Sequence, residues 1–160
     1  MGWGWWGGTK WLRASGVRIR HVAYKLLALR DPAENLKVAE DVLARQIRLF
    51  GPDGGPTANA RAEVAKRLEI LERFVEARVL REEVVAAFRR HRGNDDLYTL
   101  VAEEWLAFDL VQCGMRDEAS DLYSHVFQVR LRDLGPDDAK TVHARANLAA
   151  MGASTDETER

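Results

Sequence analysis

The side chains that could carry out chemistry in this 160-residue chain are few and scattered. Its four histidines never recur at the i, i+4 spacing that lets two imidazoles hold one metal ion, and Cys113 has no second thiol. The acidic pairs Asp95–Asp96 and Asp137–Asp138 fall in glycine-containing turns, where solvated carboxylates are common. Catalysis needs converging groups, and the sequence offers no such set. We therefore predict a non-enzymatic protein without catalytic residues, a metal ion or a cofactor.

A short glycine motif recurs at a fixed interval of 42 residues. Gly51, Gly93 and Gly135 are each followed by Asp two residues later and by Thr six residues later. A phosphate loop would end in Gly-Lys-Ser/Thr after a strand, and a calcium loop would alternate acidic residues, so neither interpretation fits. Glycine adopts the left-handed conformation that ends many helices, and the prolines Pro52 and Pro136 prevent continuation. The motif therefore predicts boundaries between helical hairpins.

The same interval relates apolar and small residues throughout the chain. Each unit predicts two helices, at about 57–71 and 75–91 and again at 99–113 and 117–134, with the motif threonine capping the first helix. A pair at 17–50 precedes them, and a single helix starts near Thr141. Alanines at matching positions would let helices approach closely: Ala23, Ala65, Ala107, Ala149, Ala77 and Ala119. We predict an all-α fold, a stack of antiparallel helix hairpins.

The composition divides the chain into three parts. Residues 17–152 form the predicted repeat domain, and residues 153–160 a polar, disordered tail. Residues 1–16 hold four of the five tryptophans among glycines, and residues 1–30 carry six basic and no acidic side chains. This segment could cap the first repeat, serve as a docking tag for a protein, or bind an anionic membrane surface or nucleic acid.

Net charge, cysteine content and hydropathy indicate where in the cell the protein would be found. The net charge is −1, and a single cysteine excludes an intramolecular disulfide and fits a reducing environment. No apolar run approaches the roughly 18 residues that a membrane-spanning helix needs. We therefore expect a cytoplasmic protein.

Residues 118–152 resemble the tetratricopeptide repeat in its 42-residue form, as in kinesin light chains and many bacterial proteins. The matching pieces are Glu-Ala at 118–119, Leu-Tyr at 122–123, Leu-Gly-Pro-Asp at 134–137 and Asn-Leu-Ala at 147–149. The resemblance covers roughly 17–152 and implies that the hairpins stack as a right-handed superhelix, an α-solenoid. HEAT repeats also pair helices, but the alanine pattern and the Gly-Pro-Asp junction favour the tetratricopeptide form. The chain departs from the family where His21, Glu63 and Trp105 replace its asparagine, and where Ala39 and Arg81 replace its aromatic residue.

In that family the first helix of each pair lines a concave groove. The resemblance therefore implies an adaptor that binds a peptide segment or a protein domain there, in a bacterial regulatory or signalling assembly. Val101 and Phe108 would form an apolar patch flanked by Lys66 and Arg20, while Trp105 and Phe108 could instead pack against the next repeat. The groove positions carried over are Arg20, Tyr24, Asn59, Ala62, Lys66, Val101, Glu104, Phe108 and His143.

The predicted last helix lacks a hairpin partner, so its apolar residues Val142, Leu148 and Met151 need covering. We therefore expect self-association or docking through the exposed repeat ends. The alternative function is binding of an anionic membrane surface or nucleic acid through residues 1–30.

Overall fold

The computed structural model describes residues 31–153. Predictions for residues 1–30, including the groove positions Arg20 and Tyr24, lie outside this range, as does the predicted polar tail beyond Ala153.

Six α-helices fill the described range, and no strand occurs between residues 31 and 153. Each helix packs mainly on its neighbours in the chain, and the helices of successive hairpins alternate in length between 16 and 19 residues until the last. The all-α solenoid of antiparallel hairpins is therefore confirmed. The helices are α1 (Pro32–Phe50), α2 (Gly55–Ile70), α3 (Phe74–Arg92), α4 (Leu97–Gln112), α5 (Arg116–Leu134) and α6 (Ala139–Ala153).

The repeated glycines end the longer helices, as the sequence predicted. Gly51, Gly93 and Gly135 cap α1, α3 and α5 with φ values of 76°, 95° and 84°. Their ψ values of 170°, 165° and 171° differ from the left-handed helical conformation that the sequence suggested. This combination of a positive φ with an extended ψ is adopted essentially only by glycine, so the requirement for glycine is stricter than predicted.

The predicted role of the motif threonines is wrong. Thr57 and Thr99 do not cap their helices, because α2 and α4 begin two residues earlier, with Gly54 and Asp96 as the N-caps. Both threonines are fully buried in the first turn. Their hydroxyls donate to the carbonyls of Gly51 and Gly93 at 2.7 and 2.8 Å. At these two junctions the Gly-to-Thr spacing records a hydrogen bond that ties the new helix to the end of the preceding one, whereas Thr141 of α6 donates to the carbonyl of Arg130 at 3.2 Å.

The small residues predicted at the helix contacts are buried inside the stack. Ala65, Ala77, Ala107 and Ala119 are completely inaccessible to solvent, so the hairpin helices approach closely at these points. Ala149, at the equivalent position of α6, is exposed. The difference arises because none of the described helices covers that face of α6.

Candidate protein-binding groove

A cavity of about 520 Å³ opens between α4 and α6, the first helices of successive hairpins. It brings together three predicted groove residues, Val101, Glu104 and His143. Asn59 and Lys66 lie exposed on α2, outside this cavity. The complete lining is Leu97, Tyr98, Val101, Glu104, Arg130, Ala139, Lys140 and His143.

The cavity lining contains a buried ion pair that was not predicted from the sequence. Arg130 of α5 donates through its two terminal nitrogens to the two carboxylate oxygens of Glu104, at 2.7 and 2.6 Å. One of these nitrogens also donates to the carbonyl of Lys140 at 3.3 Å, and Nδ1 of His143 lies 3.6 Å from the Glu104 carboxylate. Arg130 is buried, so this arrangement is fixed before any ligand arrives.

Arg130 was missed because the resemblance assigns groove residues only from the first helix of each pair. One signal was present in the sequence: Arg130 stands 42 residues after Phe88, which is a buried core residue. A charged residue at a position that is buried and apolar in the preceding repeat needs an oppositely charged partner. Here the partner is Glu104.

Apolar side chains and unpaired positive charge surround this ion pair. Leu97 and Tyr98 are exposed at the start of α4. The guanidinium carbon of Arg92 lies 4.3 Å from the centroid of the Tyr98 ring, which fixes that ring by a cation–π contact. The ammonium of Lys140 forms no ion pair within residues 31–153. The cavity can therefore accept an apolar group beside an acidic one.

An apolar stripe continues from the cavity along α4. Val101, Trp105 and Phe108 follow one another at i, i+4 and i+7, and they remain 38%, 44% and 38% exposed. The Phe108 ring meets those of Trp105 and Phe74 edge to face, each at a centroid distance of 6.3 Å. The sequence left open whether Trp105 and Phe108 face the groove or pack on a neighbour. In the structure each ring packs on one side and is open to solvent on the other.

A buried charge cluster supports the Trp105 ring. The guanidinium carbon of Arg81 lies 5.2 Å from the centroid of that ring, and its nitrogens donate to Glu69. Arg81 stands at the repeat position of Tyr123, where the family has its aromatic residue, so the departure noted in the sequence introduces a charge into the core.

Asp109 completes this cluster. It is fully buried, and neither carboxylate oxygen accepts a hydrogen bond, although one lies 3.5 Å from Nε of Arg81. Burial raises the pKa of Asp109 from 3.8 to about 7, and the negative charge of Glu69 adds to the rise, whereas Arg81 opposes it.

A second buried carboxylate, Glu103, lies on α4 and contacts side chains of α3 and α5. Nε and a terminal nitrogen of Arg89 donate to one oxygen of Glu103 at 3.0 and 2.8 Å, and Nδ1 of His125 is 2.6 Å from the other. Nε2 of His125 lies 3.5 Å from Asp95 in the turn before α4. The histidine therefore helps to join α3, α4 and α5 and is a structural residue here.

Comparison with known proteins identifies the architecture. No protein-family model matches the chain, and no curated protein matches it. A Podosopora anserina protein described as a putative kinesin light chain with nearly identical TPR-like repeats superposes with a TM-score of 0.76 over 89% of this chain and 69% of its own, at 19% identity. The chain has a tetratricopeptide-like repeat fold.

Two further structures agree with this tetratricopeptide-like assignment. A point variant of the same Podosopora protein gives the same TM-score of 0.76 and the same 19% identity, and this chain covers 68% of it. BtubC (BKLC) from P. vanneervenii superposes with a TM-score of 0.68 at 16% identity, over 78% of this chain and 50% of that one. At these identities the likeness establishes the fold.

Two properties of the described helices concern metal ions and membranes. Between residues 31 and 153, no group of three or more His, Cys, Asp or Glu side chains could hold a metal ion. None of the six helices combines the length and the apolar character needed to cross a membrane.

Proposed function

We propose that this protein is a non-enzymatic adaptor that binds a peptide segment or protein domain in the α4–α6 groove, in a bacterial regulatory or signalling assembly. The observation that carries the proposal is the continuity of the 520 Å³ cavity with the exposed stripe of Val101, Trp105 and Phe108. Exposed aromatic residues beside a concave, mainly apolar cavity are typical of a binding surface.

The rigidity of the groove supports the proposal. The Arg130–Glu104 pair is buried and bidentate, and Trp105 rests on the buried Arg81. Side chains that are ordered before binding lose little conformational entropy when a ligand arrives, so more of the contact free energy contributes to affinity.

The charges around the groove indicate the chemistry of the partner. An aliphatic or aromatic anchor would enter between Leu97, Val101 and Ala139. An acidic neighbour of that anchor would meet Lys140, and a second one further along the segment could reach Lys66. Neither lysine forms an ion pair within the described stack, so both charges are available.

A library of displayed random peptides provides the test. We expect selection on the purified protein to enrich peptides with one large apolar residue flanked by Asp or Glu. Val101→Asp should weaken binding of a selected peptide by about tenfold or more, because it places a carboxylate against the apolar anchor.

Val79→Asp is the matched control. Val79 lies on α3, outside the cavity lining, and is similarly exposed at 44%. We expect it to leave peptide binding unchanged. Enriched peptides that bind both variants equally well would show that the groove is not the binding surface.

The sequence also supports a second candidate function, binding of anionic membrane or nucleic acid through residues 1–30, because this segment carries six basic side chains and no acid. Vesicles containing phosphatidylserine and a single-stranded oligonucleotide are the probes. This second function predicts that binding to one of these probes is lost when the salt concentration is raised. It also predicts that Val101→Asp leaves that binding unchanged.

A further inference from the structure

Two charged pairs join the helices of each complete hairpin, and both recur at fixed repeat positions. In the first pair, an aspartate in the turn before the first helix meets an arginine near the end of the second. Asp53 lies 2.6 Å from Arg90, and 42 residues later Asp95 lies 2.9 Å from Arg132. This pair therefore connects the two helices at the same end of both complete hairpins.

The second pair joins the middle of the two helices. Arg61 of α2 lies 2.7 Å from Glu83 of α3, and at the same positions of the next hairpin Glu103 of α4 lies 2.6 Å from His125 of α5. The acidic and basic partners exchange places between the two hairpins, yet the charges remain complementary. Complementarity at these positions is thus a feature of hairpin pairing in this chain.

Helix α6 carries the residues that the first helix of a hairpin uses, but no second helix packs against them among the described residues. Val142 is 48% exposed, whereas its equivalent Leu100 in α4 is 4% exposed. Asp137, equivalent to Asp53 and Asp95, has no ion-pair partner within residues 31–153. Arg145 donates to the carbonyl of Pro136 at 3.1 Å. Its equivalent Arg61 donates to Pro52 in the same way and also meets a carboxylate. Arg145 has no such carboxylate among the described residues.

Helix α1 presents the complementary half. Val42 is 46% exposed, whereas its equivalents Val84 and Val126 are completely buried. Asp41 stands at the repeat position of Glu83 and His125, and Arg48 at that of Arg90 and Arg132. Neither Asp41 nor Arg48 forms an ion pair within the described part of the chain. The negative charge of Asp41 is opposite to that of Arg145 on α6, and the positive charge of Arg48 is opposite to that of Asp137.

We infer that α1 of a second copy packs over α6 and completes its hairpin. Arg48 of the second copy would meet Asp137, and Asp41 of the second copy would meet Arg145. Val42 of the second copy would cover Val142. The two surfaces differ, so the contact is head-to-tail, and repetition of the same contact adds further copies in an open chain.

Charge reversal at the first pair tests the inference in the full-length protein. Sedimentation velocity over a concentration series should show reversible association. Arg48→Asp or Asp137→Arg alone should weaken that association by about tenfold, because each places like charges opposite one another. The double variant should restore it. Asp121→Arg, on the exposed face of α5, is the control and should change nothing.

Single cysteines distinguish the head-to-tail contact from a symmetric one. In a Cys113→Ser background, oxidation of a mixture of the Val42→Cys and Val142→Cys variants should give a crosslinked heterodimer, and each variant alone should not crosslink. Circular dichroism checks that both variants remain helical.

Three results would overturn the inference. The first is a monomer at every concentration. The 42-residue repeat predicts that residues 17–30 pair with α1, and such pairing within one chain would give this result. The second is association that the double variant fails to restore. The third is crosslinking of one cysteine variant with itself.

Discussion

Replacement of Asp109 by asparagine should stabilise the protein, and more strongly as the pH rises. The carboxylate of Asp109 is fully buried, accepts no hydrogen bond and has only Arg81, 3.5 Å away, as a counter-charge. That arginine already donates to Glu69. Ionisation of Asp109 in the folded protein is therefore unfavourable, and a neutral side chain of the same shape avoids the cost.

The magnitude follows from the pKa of Asp109, which burial raises from 3.8 to about 7. A difference of that size corresponds to roughly 4 kcal/mol of folding free energy once the group is ionised. The folded protein binds the proton more tightly than the unfolded chain does, so stability falls as the pH rises from about 4 to about 7 and is constant above that range. Between pH 5 and pH 8 the loss amounts to about 2–3 kcal/mol.

Urea unfolding of the wild type and of Asp109→Asn at several pH values measures this effect. The stabilisation by asparagine should increase by about 2–3 kcal/mol between pH 5 and pH 8. Asp121→Asn changes an exposed aspartate in α5 and should show no such trend. A constant difference between wild type and Asp109→Asn across this pH range would refute the raised pKa and the account of the cluster built on it.

Three further predictions concern the repeat motif and the second buried acid. Thr99→Val removes the 2.8 Å hydrogen bond to the Gly93 carbonyl and should lower the unfolding free energy by about 1 kcal/mol in urea titrations; unchanged stability would mean that this bond is dispensable. Gly93→Ala forces a side chain onto a residue with φ of 95° and should lower the free energy of unfolding by about 1–3 kcal/mol. Gly55→Ala, at a helix start with free space around it, is the control and should lower it by less than about 0.5 kcal/mol. Equal effects of the two substitutions would contradict the conformational argument. Glu103→Ala leaves Arg89 and His125 without their buried partner and should lower the melting temperature more than Glu103→Gln does, and the reverse order would argue against the network.

The groove was only partly predictable. The family resemblance placed Val101, Glu104 and His143 at positions that do meet in one cavity. It gave no indication of Arg130, which pairs with Glu104 across 26 residues of sequence. The repeat register alone does not identify which charged side chain of the second helix in a hairpin contacts the first helix.

The repeat, the glycines that end the longer helices and the close contacts between helices could all be predicted from the residue pattern alone. These features depend on local requirements that a residue type reveals directly, such as a positive φ at Gly93 and a fully buried alanine at position 107. The burial of Asp109 without a hydrogen bond and the pairing of Arg130 with Glu104 became apparent only from the packed structure. Burial and charge pairing depend on which helices lie side by side, and the protein sets that through the packing of whole helices rather than through any single residue.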